Sequence, residues 1–247
     1  MAEDGSVSRE TPPAPPVARG VFADRLELAE RYADLLAQEG VVRGLIGPRE
    51  APRLWERHLL NCAVVAELVP EGREVADIGT GAGLPGIVLA IARPDLRVTL
   101  VEPLLRRTTF LEEVVDRLGL TEVRVVRGRA EELHGTEDFD IVTSRAVAPL
   151  ERLVRWSLPL TRRGGAVLAM KGSSAEREVD EAGSALRSLG AGAVAIHRVG
   201  SDVLNPPTTV VRVEAGRASA LGWSDADRPG PGAPRARRTR RTKGPRR

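Results

Sequence analysis

The sequence predicts an α/β fold of seven strands, mostly parallel, preceded by a helical extension. Three observations predict it. From residue 74 onward, short apolar runs alternate with helical segments; a glycine-rich turn comes after the first run; and the last two runs have no long helix between them. Strand–helix alternation at this spacing places a parallel sheet between two layers of helices.

Each element has its own signal. Phe22, Leu26, Leu28, Ala29, Tyr32, Leu35 and Leu36 recur at helical spacing up to Gly40, which predicts a helix over Phe22–Glu39. Leu54, Trp55, Leu59, Cys62, Val65 and Leu68 form a second apolar stripe over residues 51–69, closed by Pro70 and Gly72. Strands are expected at Glu74–Ile78, Val98–Val101, Val123–Val126, Asp140–Thr143 and Ala166–Met170. Helices are expected near Gly86–Ala92, Leu104–Leu118, Leu150–Leu158 and Glu176–Leu189. Val194–Val199 and Thr209–Val213 are placed to pair antiparallel at one sheet edge, through a turn at Asn205-Pro206-Pro207. The domain reading is a disordered Pro-rich head (1–20), a helical extension (21–72), the α/β domain (73–215) and a disordered Pro/Gly/Arg-rich tail (216–247).

Composition narrows the function. The single cysteine, Cys62, excludes an intramolecular disulfide and a Cys-cluster metal site, and points to a reducing cytoplasm. Leu84–Ala92 is the longest apolar stretch, far short of the roughly 20 residues that cross a bilayer, so no membrane role is expected. The three histidines are too scattered for a metal site, and none is expected. The whole chain carries a net charge of +3, yet residues 235–247 hold seven arginines, one lysine and no acid. The body is therefore acidic and the tail is drawn to polyanions.

The most informative stretch is VADIGTGAGLPG, residues 75–86. Gly79, Gly81 and Gly83 make a tight turn where a ligand approaches the backbone. A dinucleotide fingerprint needs a third glycine where Leu84 stands, and Asp77 is unwelcome beside a pyrophosphate. S-adenosylmethionine, a nucleoside without phosphates and with cationic groups, suits the stretch better. Glu102 ends the second strand, where a carboxylate accepts hydrogen bonds from a ribose. Gly128–Glu132 leaves the same sheet edge and is expected to cover the adenine, with Glu131 assisting. Arg145 after the fourth strand faces the other end of the cleft. Lys171 and His58 are candidates for substrate contact. Asn205–Thr208 superficially matches the N-P-P-Y loop of amino-group methyltransferases, but stands after the wrong strand and lacks the aromatic ring.

Together these pieces resemble a known family. Arg57-His58-Leu59-Leu60, Asp77 to Gly86, Arg106-Arg107, Phe110-Leu111, Arg129-Ala130-Glu131-Glu132, Ser144-Arg145-Ala146 and Met170-Lys171-Gly172 are similar, in order and spacing over about residues 22–214, to the bacterial small-subunit ribosomal RNA guanine-N7 methyltransferases, also called glucose-inhibited division protein B. The resemblance implies a seven-strand Rossmann-like class I methyltransferase fold with an N-terminal helical extension. It implies S-adenosylmethionine as methyl donor, and as acceptor a guanine in a hairpin loop of 16S ribosomal RNA near the decoding site, in naked RNA or the small subunit. Cofactor contacts then fall on Gly79, Leu84, Ala130, Glu131 and Arg145, with Arg129 and Arg145 as candidates for RNA or catalytic roles. A cytoplasmic monomer is expected. The alternative is a methyltransferase of this class acting on another RNA, a protein or a small molecule. Two departures stand out. The family often has Asp-Ser where Asn61-Cys62 stand, and a basic start to the closing strand where Thr208-Thr209 stand.

Overall fold

The computed structural model describes residues 11–145 and 148–216. The chain enters through α1 (Pro16–Phe22) and α2 (Leu26–Leu35), joined by one 3-10 turn and prolonged by a wider helical turn at Leu36–Gly40. Pro16 suits the first helical turn because its missing N–H would have no partner there. Ala29, Tyr32, Ala33 and Leu36 form the buried stripe of the longer helix. The disordered head expected through residue 20 is corrected in its second half. Ala18 and Phe22 are buried in the core, and Trp55 Nε1 donates to the Pro12 carbonyl at 2.9 Å. The Pro-rich composition concealed a helix start. Residues 1–10, and the arginine tail from residue 217, lie outside the described residues.

The second helical stretch is one path with changing pitch. A 3-10 segment (Pro48–Arg53) passes into a wide turn (Trp55–Leu60), then α3 (Asn61–Ala63) and a 3-10 segment (Val64–Leu68). Leu54, Leu59, Cys62 and Val65 are fully buried along it.

The sheet contains β1 (Glu74–Ile78), β2 (Arg97–Glu102), β3 (Val123–Arg127), β4 (Phe139–Arg145), β5 (Thr161–Lys171), β6 (Ala191–Val199) and β7 (Thr208–Ala215), in the order β3-β2-β1-β4-β5-β7-β6. β1 to β5 are parallel, and β7 runs antiparallel between β5 and β6. The expected antiparallel pair is therefore present, with the later strand on the inside. β1 faces β2 on one side and β4 on the other, so the strand order reverses there and opens a crevice at the carboxyl ends. Register brings the functional ends level: Ile78 pairs with Val101, Arg145 with Met170, and Lys171 with Thr209.

Each sheet face has its own core. Val75, Leu100, Ile141 and Leu168 pack under the extension, α4 (Gly86–Ala92) and α5 (Leu105–Leu118). Their neighbours Ala76, Val101, Val142 and Val167 pack under α6 (Leu150–Ser157), α7 (Ala175–Glu181) and α8 (Gly183–Ser188). This is the period-2 alternation of strands buried on both sides. The single helix expected over Glu176–Leu189 breaks at Ala182–Gly183, where glycine weakens helix continuation.

Candidate active site

The turn between β1 and α4 is shaped by glycines. Gly79, Gly81 and Gly83 have φ of 66°, 63° and 102°, a region that side chains with a Cβ rarely enter. The amides of Gly79 and Thr80 donate to the Val101 carbonyl at 2.9 and 3.3 Å, lashing the turn to β2. Asp77 braces it from below: Oδ2 accepts from Thr80 Oγ1 at 2.5 Å and from the Gly86 amide at 2.8 Å. Its Oδ1 is buried with no partner. Burial pushes the Asp77 carboxyl up to about 6, against the opposing pull of the Thr80 and Gly86 hydrogen bonds and the Arg145 charge. Asp77 is thus a brace inside the loop, fully out of solvent.

Glu102 comes next along the sheet edge and is 2% exposed. Its Oε2 accepts from the Gly81 amide at 3.1 Å and from Arg107 at 3.3 Å, and Oε1 accepts from the Leu104 amide at 3.1 Å. The carboxylate and the glycine turn are therefore one unit. A Cβ at Gly81 would meet nothing nearer than the Gly79 carbonyl at 3.9 Å, so the backbone is open to a ligand there. The open glycine turn and the Glu102 carboxylate joined to it fit S-adenosylmethionine, whose ribose hydroxyls want acceptors.

The turn forms one wall of a cleft of about 1400 Å³. Gly79, Gly81 and Leu84 line it from the turn, His58, Asn61 and Arg57 from the extension, and Arg145 and Lys171 from the ends of β4 and β5. Arg145 donates through Nη1 to the Arg57 carbonyl at 3.1 Å, bridging the extension and the sheet. His58 shares a 2.8 Å hydrogen bond between Nε2 and Glu50 Oε2. Burial and the nearby Arg145 hold its imidazole below the usual histidine range despite Glu50, so the ring is neutral at pH 7. Glu50 is held below the usual carboxylate range: burial is outweighed by His58 and Arg57. An ionised Glu50 puts the ring proton on Nε2. The Lys171 side chain is 7% exposed; its ammonium donates to the Ala148 carbonyl at 2.7 Å and pairs with Glu178 at 2.8 Å. Glu178 also accepts from the Leu150 amide and Ser174 Oγ, so this cluster fixes the start of α6.

The structure thus brings Gly79, Gly81, Leu84, Arg145, His58 and Lys171 together on one cleft, with Glu102 joined through Gly81. Arg129, Ala130 and Glu131 stand at the short 3-10 turn after β3, outside that lining; Ala130 is buried, and Arg129 and Glu131 are exposed. Ala146 lies outside the described residues. Asn205–Thr208 is the turn into β7, and it also walls the cleft through Asn205, Pro206 and Thr208, which its sequence position did not suggest. Nothing in the sequence signals that Tyr32, marked as core by its helical spacing, donates to the Ala82 carbonyl in the glycine turn. Arg162 sits at the opposite end of the sheet, paired with Glu74, Asp138 and Asp140. Among the described residues, no group of three His, Cys, Asp or Glu side chains is placed to hold a metal ion, and no helix is long and apolar enough to cross a membrane.

Comparison with known proteins agrees with this geometry. The family described as rRNA small subunit methyltransferase G matches residues 25–204. The ribosomal RNA small subunit methyltransferase G of a Nocardioides species is 61% identical over 224 residues, covering 90% of this chain and 89% of the relative. The protein of the same name from Streptomyces coelicolor is 57% identical over 240 residues, covering 97% of this chain and all of the relative. Among solved structures, a SAM-dependent O-methyltransferase from Thermotoga maritima superposes with a TM-score of 0.53 at 17% identity, over 75% of this chain and 72% of the other. That likeness speaks to the fold. Fold, site and sequence agree that the chain belongs to the rRNA small subunit methyltransferase G family.

Proposed function

We propose that the chain transfers a methyl group from S-adenosylmethionine to N7 of a guanine in a hairpin loop of 16S ribosomal RNA near the decoding site. The observation that carries this is the meeting of the glycine turn with Arg57, Arg145 and the end of β5 on one cleft, in a chain whose relatives are named for ribosomal RNA methylation.

Bound on the turn, S-adenosylmethionine supplies an electrophilic methyl carbon on a sulfonium. Gly79, Gly81, Leu84, Ala130, Glu131 and Arg145 would hold it, with Glu102 as the acceptor for its ribose. N7 of guanine carries a lone pair without a proton, so no general base has to act first. The work of the protein is to hold N7 in line with the methyl carbon in a site that excludes water. Arg145 reaches the base edge or a phosphate, and Arg129 meets RNA at the outer lip. His58 and Lys171 bound the guanine pocket, Lys171 through the cluster it forms with Glu178 and Ala148. Arg53, Arg57 and Arg177 at the rim grip phosphates, which makes binding salt-dependent. The protein acts in the cytoplasm as a monomer on this reading.

The test uses small ribosomal subunits lacking the modification, incubated with radiolabelled donor. Label in 16S RNA, with chemical cleavage and reverse transcription stopping at one guanine, is the expected result. Label confined to ribosomal protein, or to an atom other than N7, overturns the proposal.

A further inference from the structure

Tyr32 belongs to α2 in the extension, yet its hydroxyl donates to the Ala82 carbonyl at 2.7 Å, inside the glycine turn and 50 residues away. Both residues are buried, Tyr32 at 0% and Ala82 at 5% exposure. The fit is close: a Cβ on Gly83 would stand 2.9 Å from the Tyr32 hydroxyl. Beyond the Gly79 and Thr80 amides bonded to the Val101 carbonyl, three side chains hold the turn. Asp77 takes the Thr80 side chain, Glu102 takes the Gly81 amide, and Tyr32 takes the Ala82 carbonyl. Only the last anchor comes from outside the α/β domain. Without it the Ala82 carbonyl is a buried acceptor with no phenol to meet, between two glycines that give the backbone freedom to leave.

We propose that Tyr32 is a positioning residue for S-adenosylmethionine: its hydroxyl holds the 79–84 turn in the shape that receives the cofactor, making the helical extension part of the cofactor site. Losing the hydroxyl lowers the fraction of molecules with a competent turn, and apparent affinity falls by that fraction. Burial drives the phenol well above its ordinary value, so it remains a donor throughout the neutral range.

The inference rests on the cofactor assignment and not on the RNA substrate, so the test needs no RNA. Calorimetry with S-adenosylhomocysteine on the full chain should show Tyr32→Phe weakened about fivefold or more, the loss of one buried hydrogen bond. Replacing Tyr32 with p-aminophenylalanine, which keeps a donor at the same place, should restore affinity. Unchanged affinity in Tyr32→Phe, with a lowered Tm, overturns the proposal and leaves Tyr32 as a core residue. If Tyr32→Phe does not fold, the natural protein still decides. Tyr32 is the sole tyrosine, so ring-labelled tyrosine gives one NMR signal. That signal should shift when S-adenosylhomocysteine is added, and a signal that stays put overturns the proposal. Failure of the unaltered protein to bind S-adenosylhomocysteine at all would sink the cofactor assignment instead.

Discussion

Asn61 Nδ2 donates to Thr208 Oγ1 at 2.8 Å, and the Thr208 hydroxyl returns a 3.2 Å bond to the Asn61 carbonyl. These are the two places where the sequence departs from the pattern it resembles, an acidic residue on one side and a basic one on the other. The departures are one contact, made neutral on both sides, in the wall of the cleft.

Exchanging one partner leaves a charge half-buried without its mate. Asn61→Asp alone and Thr208→Arg alone should each cost about 1–3 kcal/mol, the range for an unsatisfied buried polar group. The double variant should recover at least about 1 kcal/mol of the summed loss, as contacting pairs do. Urea unfolding of the four proteins closes the cycle. Additive losses would show that the two positions do not communicate.

Glu102 joins the turn to the sheet edge and offers the acceptors a ribose needs. Glu102→Ala should weaken S-adenosylhomocysteine binding by about 1–3 kcal/mol, the loss for charge-assisted hydrogen bonds. Calorimetry reads it directly, and an unchanged Kd removes Glu102 from the site.

Asp77 gives a pH signature. Its carboxyl is raised to about 6 in the folded protein, so the folded state holds the proton more tightly than the unfolded chain. The stability it contributes is complete below about pH 4 and is lost as pH rises through about 6. Asp77→Asn keeps an acceptor for Gly86 and removes this titration. Between pH 4 and 7.5 the wild type should lose up to about 3 kcal/mol more stability than the variant, roughly two pKa units' worth. Parallel slopes in urea unfolding would contradict the burial-driven shift.

Gly86 stands where the turn meets α4. A Cβ there would lie 2.3 Å from Leu100 Cδ2 and 2.9 Å from Asp77 Oδ2, both packed in the interior. Gly86→Ala should therefore destabilise by about 1–3 kcal/mol, the cost of overpacking. Gly172→Ala, where no atom lies within 4 Å, should stay within about 0.5 kcal/mol. Thermal denaturation of the two variants, showing equal losses, would refute the steric account.

The strands and their order of use were legible because each is a short apolar run punctuated by turn residues. The glycine turn was legible because only glycine tolerates its backbone angles. The placement of β7 between β5 and β6 was not, since neighbouring runs of similar composition pair equally well either way round. The break at Ala182, next to Gly183, was obscured by helix-favouring residues on both sides. The placement of Glu102 and Arg145 at the edge of the crevice was legible because each closes a strand of the parallel sheet. The contacts of Tyr32 and Asn61 were not: their partners lie 50 and 147 residues away, and each side chain looks like ordinary helix composition.

The antiparallel course of β7 carries the end of the described chain away from the cleft. The strand starts at Thr208 beside the cleft and ends with Ala215 opposite Ala191, at the other pole of the sheet. Eight residues of strand carry the backbone about 26 Å. The described chain therefore closes at the pole remote from the glycine turn, with the whole length of β7 between its last residue and the cleft.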